Sequence, residues 1–202
     1  MIIEVDPVHP QPRRIAQIVE LARQGLIAYP TDTVYAVGCD LMNKRSMERL
    51  YALKGKPTKR PLSLLCADLK HASEYAEISD QAFMILRRIL PGPYTIILRA
   101  GERVPRVLLT RQRTVGIRVP AAPVAVALVN ALGRPLATTS AALPDEEPLI
   151  DASDIQDQLG HGIELILDGG SILNEPSTVL DLTGPAPVVL REGKGTLEGV
   201  LS

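Results

Sequence analysis

The chain predicts an α/β fold: one domain over residues 1–202, with a twisted, mixed sheet flanked by helices. Three observations carry that expectation. Short apolar runs of strand length are interspersed with segments whose apolar residues recur at helical spacing. The last three such runs are spaced like hairpins, which argues against a purely parallel sheet. With 202 residues, 46% hydrophobic and 22% charged, the chain suits one sizeable core, and no repeat or long linker divides it.

Pro10 and Pro12 precede Ile15, Ile18, Val19 and Ala22, an apolar helical stripe that Gly25 closes. Leu26-Ile27-Ala28-Tyr29 then reads as a strand, ended by Pro30, which has no N–H to give a ladder. Thr31-Asp32-Thr33 therefore falls at a strand's carboxyl end, where open α/β sheets place ligands. Asn43 is expected to cap the next helix, with Met47, Leu50 and Tyr51 as its stripe and Gly55 as its stop. Leu62 to Cys66 is a returning strand. Asp68 opens a short helix through Tyr75, and Ser79 caps Asp80 to Leu90, whose amphipathic face carries Phe83, Leu86, Arg87 and Leu90. Pro91-Gly92-Pro93 ends that helix, and Tyr94 to Leu98 follows as a strand.

Val104 to Leu109 is ambiguous at its length, whereas Thr114 to Val119 alternates as a strand and delivers Arg118 just before Pro120. Pro123 to Leu132 is a helix stopped by Gly133, and Pro135 to Ser140 a strand whose end carries Thr138, Thr139 and Ser140. Pro144 to Pro148 is an acidic loop, and Ser153 is expected to cap a helix to Leu159 that Gly160 terminates. Leu165 to Leu167, Thr178 to Leu182 and Val188 to Leu190 complete the strands.

Composition narrows the function. Phe83 is the lone phenylalanine and Trp is absent, so a base-stacking platform would have to come from five tyrosines. A net charge of -1 does not mark a nucleic-acid binder, although basic clusters at 54–60 and 99–118 permit RNA contact. Cys39 and Cys66 lack metal-ligand spacing and His9, His71 and His161 are scattered, so no metal site is expected and the cysteines read as buried, reduced packing. No signal peptide or long apolar span is evident, so the expected address is the cytoplasm, away from any membrane. A Ser/His/Asp order and a Gly-x-x-x-x-Gly-Lys-Ser/Thr loop are both missing, which disfavours a conventional hydrolase or P-loop nucleotidase.

The chemistry gathers between Ala28 and Cys66. Lys54, Lys56, Lys59 and Arg60 cluster just past a helix and beside the hydroxyls of Thr31 and Thr33. Cations neutralise phosphate charge while hydroxyls fix its orientation, so the stretch suits a triphosphate. A solvated basic loop at a helix's carbonyl end accounts for the same cations.

Seven words occur along nearly the whole chain: Tyr29-Pro-Thr-Asp-Thr-Val-Tyr35, Lys54-x-Lys56-Pro57, Pro91-Gly-Pro-Tyr-Thr95, Gly116-Ile-Arg-Val-Pro120, Thr139-Ser-Ala141, Pro176-Ser-Thr-Val179 and Leu190-Arg-Glu-Gly193. In this order they resemble the YrdC/YciO family of threonylcarbamoyl-adenylate synthases. The resemblance implies a YrdC/RibB-like twisted open sheet with a concave cationic face. It implies an enzyme, a nucleotidyltransferase that makes L-threonylcarbamoyl-AMP from L-threonine, bicarbonate and ATP for N6-threonylcarbamoyladenosine modification of tRNA. Mg2+ would enter only with ATP, and no tightly bound cofactor is implied. By motif, Thr33, Arg118, Ser140 and Ser177 correspond to the threonine pocket. Lys54 and Lys56 correspond to catalytic cations, and Lys56, Arg60, Thr114 and Arg191 to the ATP side.

Three positions depart from the family pattern. Lys56 replaces an arginine, Ala142 an asparagine, and Leu65 a histidine. Lysine lacks the guanidinium fork and Ala142 offers no polar group, so the resemblance is nearest to the YciO branch, with weaker synthesis expected. A protein that grips double-stranded RNA or tRNA through the cationic face is the alternative, and a pocket with an altered amino-acid or hydroxy-acid substrate is a third reading.

Overall fold

The computed structural model describes residues 1–53 and 62–200. Gly55, expected to stop a helix, and Lys54, Lys56, Lys59 and Arg60 of the basic cluster lie outside the described residues.

The strands are β1 (Ile2–Glu4), β2 (Ile27–Tyr29), β3 (Ala36–Asp40), β4 (Ser63–Leu65), β5 (Ala76–Glu77), β6 (Tyr94–Ala100), β7 (Thr114–Arg118), β8 (Leu136–Ser140), β9 (Leu165–Asp168), β10 (Thr178–Asp181) and β11 (Val188–Arg191). The helices are α1 (Pro12–Gln24), α2 (Lys44–Leu53), α3 (Leu69–Ser73), α4 (Asp80–Ile89), α5 (Pro123–Leu132) and α6 (Ala152–Leu159). All the described strands join one sheet in the order β1, β9, β2, β3, β8, β4, β7, β6, β10, β11, with β5 beside β6. The sheet is mixed: β2, β3, β8 and β4 run antiparallel in turn, while β4 with β7 and β6 with β10 are parallel.

Local chemistry sets most boundaries as expected. Asn43 accepts from the Ser46 N–H at 3.0 Å, Asp68 from the His71 N–H at 2.6 Å, and Ser79 from the Ala82 N–H at 3.2 Å. Gly133 closes α5 in the left-handed region, with φ 74°. Four expectations need correction. Asp151, not Ser153, caps α6: its carboxylate accepts from the Asp154 N–H, and the Ser153 hydroxyl donates to that same carboxylate. Phe83 is exposed beneath the Arg87 guanidinium, and the buried stripe of α4 is Ala82, Ile85, Leu86 and Ile89. Of the last three strands only β10 and β11 pair, because β9 lies at the far side of the sheet between β1 and β2. Strands β1, β3 and β5 were not foreseen. Val104 to Leu109 resolves as a short 3-10 turn, Arg106–Leu108.

Period-two alternation divides the strands between two cores. Ile27 and Tyr29 face one, and Ala28 between them faces the other. On one side α2, α3, α4 and α6 pack over Val37, Leu64, Ile96, Ile117 and Ile166. On the other, α1 and α5 pack over Ile27, Tyr29, Leu65, Leu136, Leu165 and Leu167, and this core includes no residue of β6, β7, β10 or β11. Half of that sheet face is thereby left without a covering helix among the described residues.

Candidate functional site

That half-face holds a cavity of about 540 Å³, lined by residues including Ser63, Thr95, Arg118, Thr138, Ser140 and Ser177. Gly116 keeps its floor open: a Cβ there would lie 2.7 Å from the Ser63 hydroxyl.

Arg118, at the end of β7, is 8% exposed. Its Nη2 donates to Asp32 Oδ1 at 2.8 Å and to Thr33 Oγ1 at 3.0 Å. Among the described residues, Arg118 Nε is a buried side-chain nitrogen without a hydrogen-bond partner. Burial pulls the guanidinium below its ordinary pKa, and Asp32 pulls it back up. Thr33 is fully buried and stands behind Arg118, its hydroxyl 3.1 Å from Thr31 Oγ1. Thr31 in turn donates to the Val34 carbonyl and accepts from the Thr33 N–H, so the loop after β2 is a closed hydroxyl turn.

Opposite, Ser177 Oγ lies 2.7 Å from Thr95 Oγ1. Arg191 donates from Nε and Nη2 to the Ser177 carbonyl, at 3.1 and 2.8 Å, and from Nη2 to its hydroxyl at 3.2 Å. Gly193 permits this approach, since a Cβ there would overlap the Pro176 carbonyl and the Ser177 backbone. Beneath the floor, the Tyr29 hydroxyl sits 2.7 Å from Thr138 Oγ1, and burial pushes that phenol well above its usual range.

Of the residues expected to form the site, Arg118, Ser140, Ser177 and Arg191 line the cavity, and Thr33 meets Arg118 from behind. Thr114 is not on its wall. It starts β7, four residues from Arg118, with its hydroxyl 2.7 Å from Thr110 Oγ1. Lys54, Lys56 and Arg60 lie outside the described residues. Leu65 and Ala142, two of the three departures from the family pattern, line the cavity as apolar surface. Sequence reasoning missed Asp32, Thr95, Glu146 and Glu147. The first two sit inside the quoted words, and the glutamates belong to the acidic loop, whose place on the wall spacing alone does not reveal. Among the described residues no group of three or more His, Cys, Asp or Glu is placed to hold a metal, and no helix is long and apolar enough to cross a membrane.

The open, mixed α/β sheet is the fold of solved YciO and Sua5 structures and marks a YrdC-like protein. The chain belongs to the Sua5/YciO/YrdC family, whose model, described as "Telomere recombination", matches residues 20–193. The crystal structure of Escherichia coli YciO superposes with a TM-score of 0.95 at 40% identity, covering 100% of this chain and 99% of that one. A threonylcarbamoyl-AMP synthase of Pyrococcus abyssi is 36% identical over 181 residues, 88% of this chain and 53% of that protein. The crystal structure of P. abyssi Sua5 complexed with L-threonine matches with a TM-score of 0.88 at 34% identity, covering 96% of this chain and 57% of that one. The chain thus spans little more than half the length of the P. abyssi proteins.

Proposed function

We propose that this protein, a single domain of the cytoplasm, is a threonylcarbamoyl-AMP synthase-like enzyme of the YciO branch. The observation that carries the reading is Arg118: a buried arginine on a cavity wall, with an unpartnered Nε and with Ser140 and Ser177 on the same wall. A planar guanidinium is the preferred partner of a carboxylate, and hydroxyls beside it suit the polar groups of threonine. The P. abyssi Sua5 structure that superposes on this chain contains L-threonine.

In this reading the threonine nitrogen takes up bicarbonate with loss of water, and the carbamate oxygen displaces pyrophosphate from the α-phosphate of ATP. The product serves tRNA modification. Little covalent work falls to the protein, so positioning and charge stabilisation dominate. Arg118, Ser140 and Ser177 hold the amino acid, with Thr33 bracing Arg118. Arg191, Lys54, Lys56, Arg60 and Thr114 serve the nucleotide. Glu146 and Glu147, two carboxylates on the wall, suit a Mg2+ carried in on phosphates, since that ion takes one or two protein carboxylates beside substrate oxygens. Purified protein given ATP, Mg2+, bicarbonate and labelled threonine is expected to yield the adenylate and pyrophosphate. No product above a boiled control at stoichiometric protein would overturn the reading.

A second reading, double-stranded RNA or tRNA binding, draws on exposed Arg99, Arg106, Arg111 and Arg113 around the end of β6 and the start of β7. Phosphate contacts give affinity that falls steeply with salt, and a flat salt series with duplex RNA would remove this reading.

A further inference from the structure

We infer that Asp32 is the positioning residue of this site: it holds Arg118 so that the guanidinium offers directed N–H groups to a monocarboxylate and no net charge to a polyanion. The inference rests on the proposed function, because it assigns the ligand class of the same cavity. Asp32 Oδ1 takes Arg118 Nη2 at 2.8 Å, and Oδ2 takes the Ala121 N–H at 3.0 Å. Each side chain of the pair is 10% exposed. The Asp32 carbonyl accepts from Lys194 Nζ at 2.8 Å, and Lys194 also lies 3.8 Å from Glu175. The loop after β2 is thus tied to β7, to the entry of α5 and to the segment after β11.

Two consequences follow for a ligand. Nη2 of Arg118 is spent on Asp32 and Thr33, while Nε is buried with no hydrogen-bond partner. A ligand must bring its acceptor there, which rewards shape as well as charge. The pair is also neutral as a unit, and a polyphosphate, which gains most from net positive charge, gains little from it. Arg118 therefore selects a carboxylate, and phosphates are left to the other cations.

Titration calorimetry decides this, with L-threonine and inorganic tripolyphosphate as separate probes on wild type, Asp32→Asn, Asp32→Glu and Asp32→Asn/Arg118→Met. Asp32→Asn should weaken L-threonine about tenfold, the scale of a charge-assisted hydrogen bond, while tightening tripolyphosphate by about threefold or more through the freed charge. The tightening should steepen with falling salt and be absent from the double variant. Asp32→Glu keeps the charge but moves the carboxylate, so it should weaken L-threonine and leave tripolyphosphate unchanged; it carries the test where Asp32→Asn does not fold. A merely structural role lowers both probes together, and that result overturns the inference, as does an unchanged tripolyphosphate affinity in Asp32→Asn. Absence of L-threonine binding by wild type would sink the proposed function instead. The tripolyphosphate comparison then still decides the role of Asp32 by itself.

Discussion

Arg134 grips Asp40 in a fork, Nε to Oδ1 at 2.7 Å and Nη2 to Oδ2 at 2.6 Å, and so ties the turn before β8 to the end of β3. Asp40 also caps the turn after β3 by accepting from the Met42 N–H at 2.9 Å. Its side chain is 4% exposed, whereas that of Arg134 is 32% exposed. Removing the arginine strands a buried carboxylate. Arg134→Leu should cost about 3 kcal/mol, the low end for breaking such a pair, read from urea unfolding. Asp40→Asn in that background should recover part of the loss, because the uncompensated charge is then gone. An Arg134→Leu midpoint equal to wild type would show that the fork contributes nothing net.

Acid sensitivity should pass through Glu164. Burial opposes its charged form, yet hydrogen bonds from Arg49 and from the Leu26 N–H outweigh it and leave the carboxyl below its usual range. A depressed folded pKa gives stability that is present above the unfolded value, near 4.5, and is lost as pH falls through the folded value. Unfolding of wild type and Glu164→Gln across pH 7 to 3 should therefore converge at the acid end. A constant difference over that range would show that ionisation of Glu164 is not coupled to folding. The same carboxylate explains Gly25: its φ of -158° is ordinary extended backbone, and a Cβ there would fall 2.2 Å from Glu164 Cδ.

Both cysteines should be silent in the folded protein. Burial pushes the Cys39 and Cys66 thiols up to about 12, with nearby carboxylates adding to the effect. Thiolate is the reactive form, so at pH 7.5 iodoacetamide should label neither residue until denaturant is added. Rapid labelling of native protein would contradict their burial among the core side chains.

Much of this fold was legible where one residue's chemistry decides a boundary. Asn43, Asp68 and Ser79 cap the helices assigned to them, and Gly25 and Gly133 stop theirs. What failed depends on partners distant in sequence. Strand β3 is buried along its whole length and carries Gly38, so it shows no alternation to read. Gly38 itself is explained by its neighbours across the sheet, since an added Cβ would lie 2.9 Å from both the Ala137 carbonyl oxygen and the Tyr29 hydroxyl. Arg118, Ser140, Ser177 and Arg191 were found through motif words, but the Asp32 carboxylate reaches Arg118 across 86 positions of sequence, a pairing that no spacing encodes. Ser153 and Asp151 show the smaller limit: two good capping residues stood together, and only the geometry chose between them.

Ser177 should matter through its hydroxyl more than through its carbonyl. Ser177→Ala keeps the carbonyl that receives two hydrogen bonds from Arg191, so the fold should survive, while the hydroxyl shared with Thr95 and Arg191 is lost from the wall. L-threonine affinity should drop several-fold, about what one neutral hydrogen bond is worth. Calorimetric titration that returns the wild-type affinity would remove Ser177 from the binding surface.

Ala142 is 2% exposed and lines the wall close in sequence to Ser140, where the family pattern has an asparagine. The cavity of about 540 Å³ has room for an amide, so Ala142→Asn should be accepted without the strain of overfilling a closed core. An asparagine there restores a donor and an acceptor beside the reacting groups, and Lys56→Arg restores a planar fork for phosphate oxygens. Hydrogen bonds to charged groups are worth roughly 1.5 to 3 kcal/mol, so each change should raise threonine-dependent pyrophosphate release by on the order of tenfold if it acts in the transition state. The double variant should exceed either single one. Adding Ser140→Ala should abolish the gain, since that hydroxyl lies on the same wall. A double variant that folds, binds ATP and turns over no faster would mean that these two positions do not limit the reaction, and the altered-substrate reading would then take precedence over the synthase.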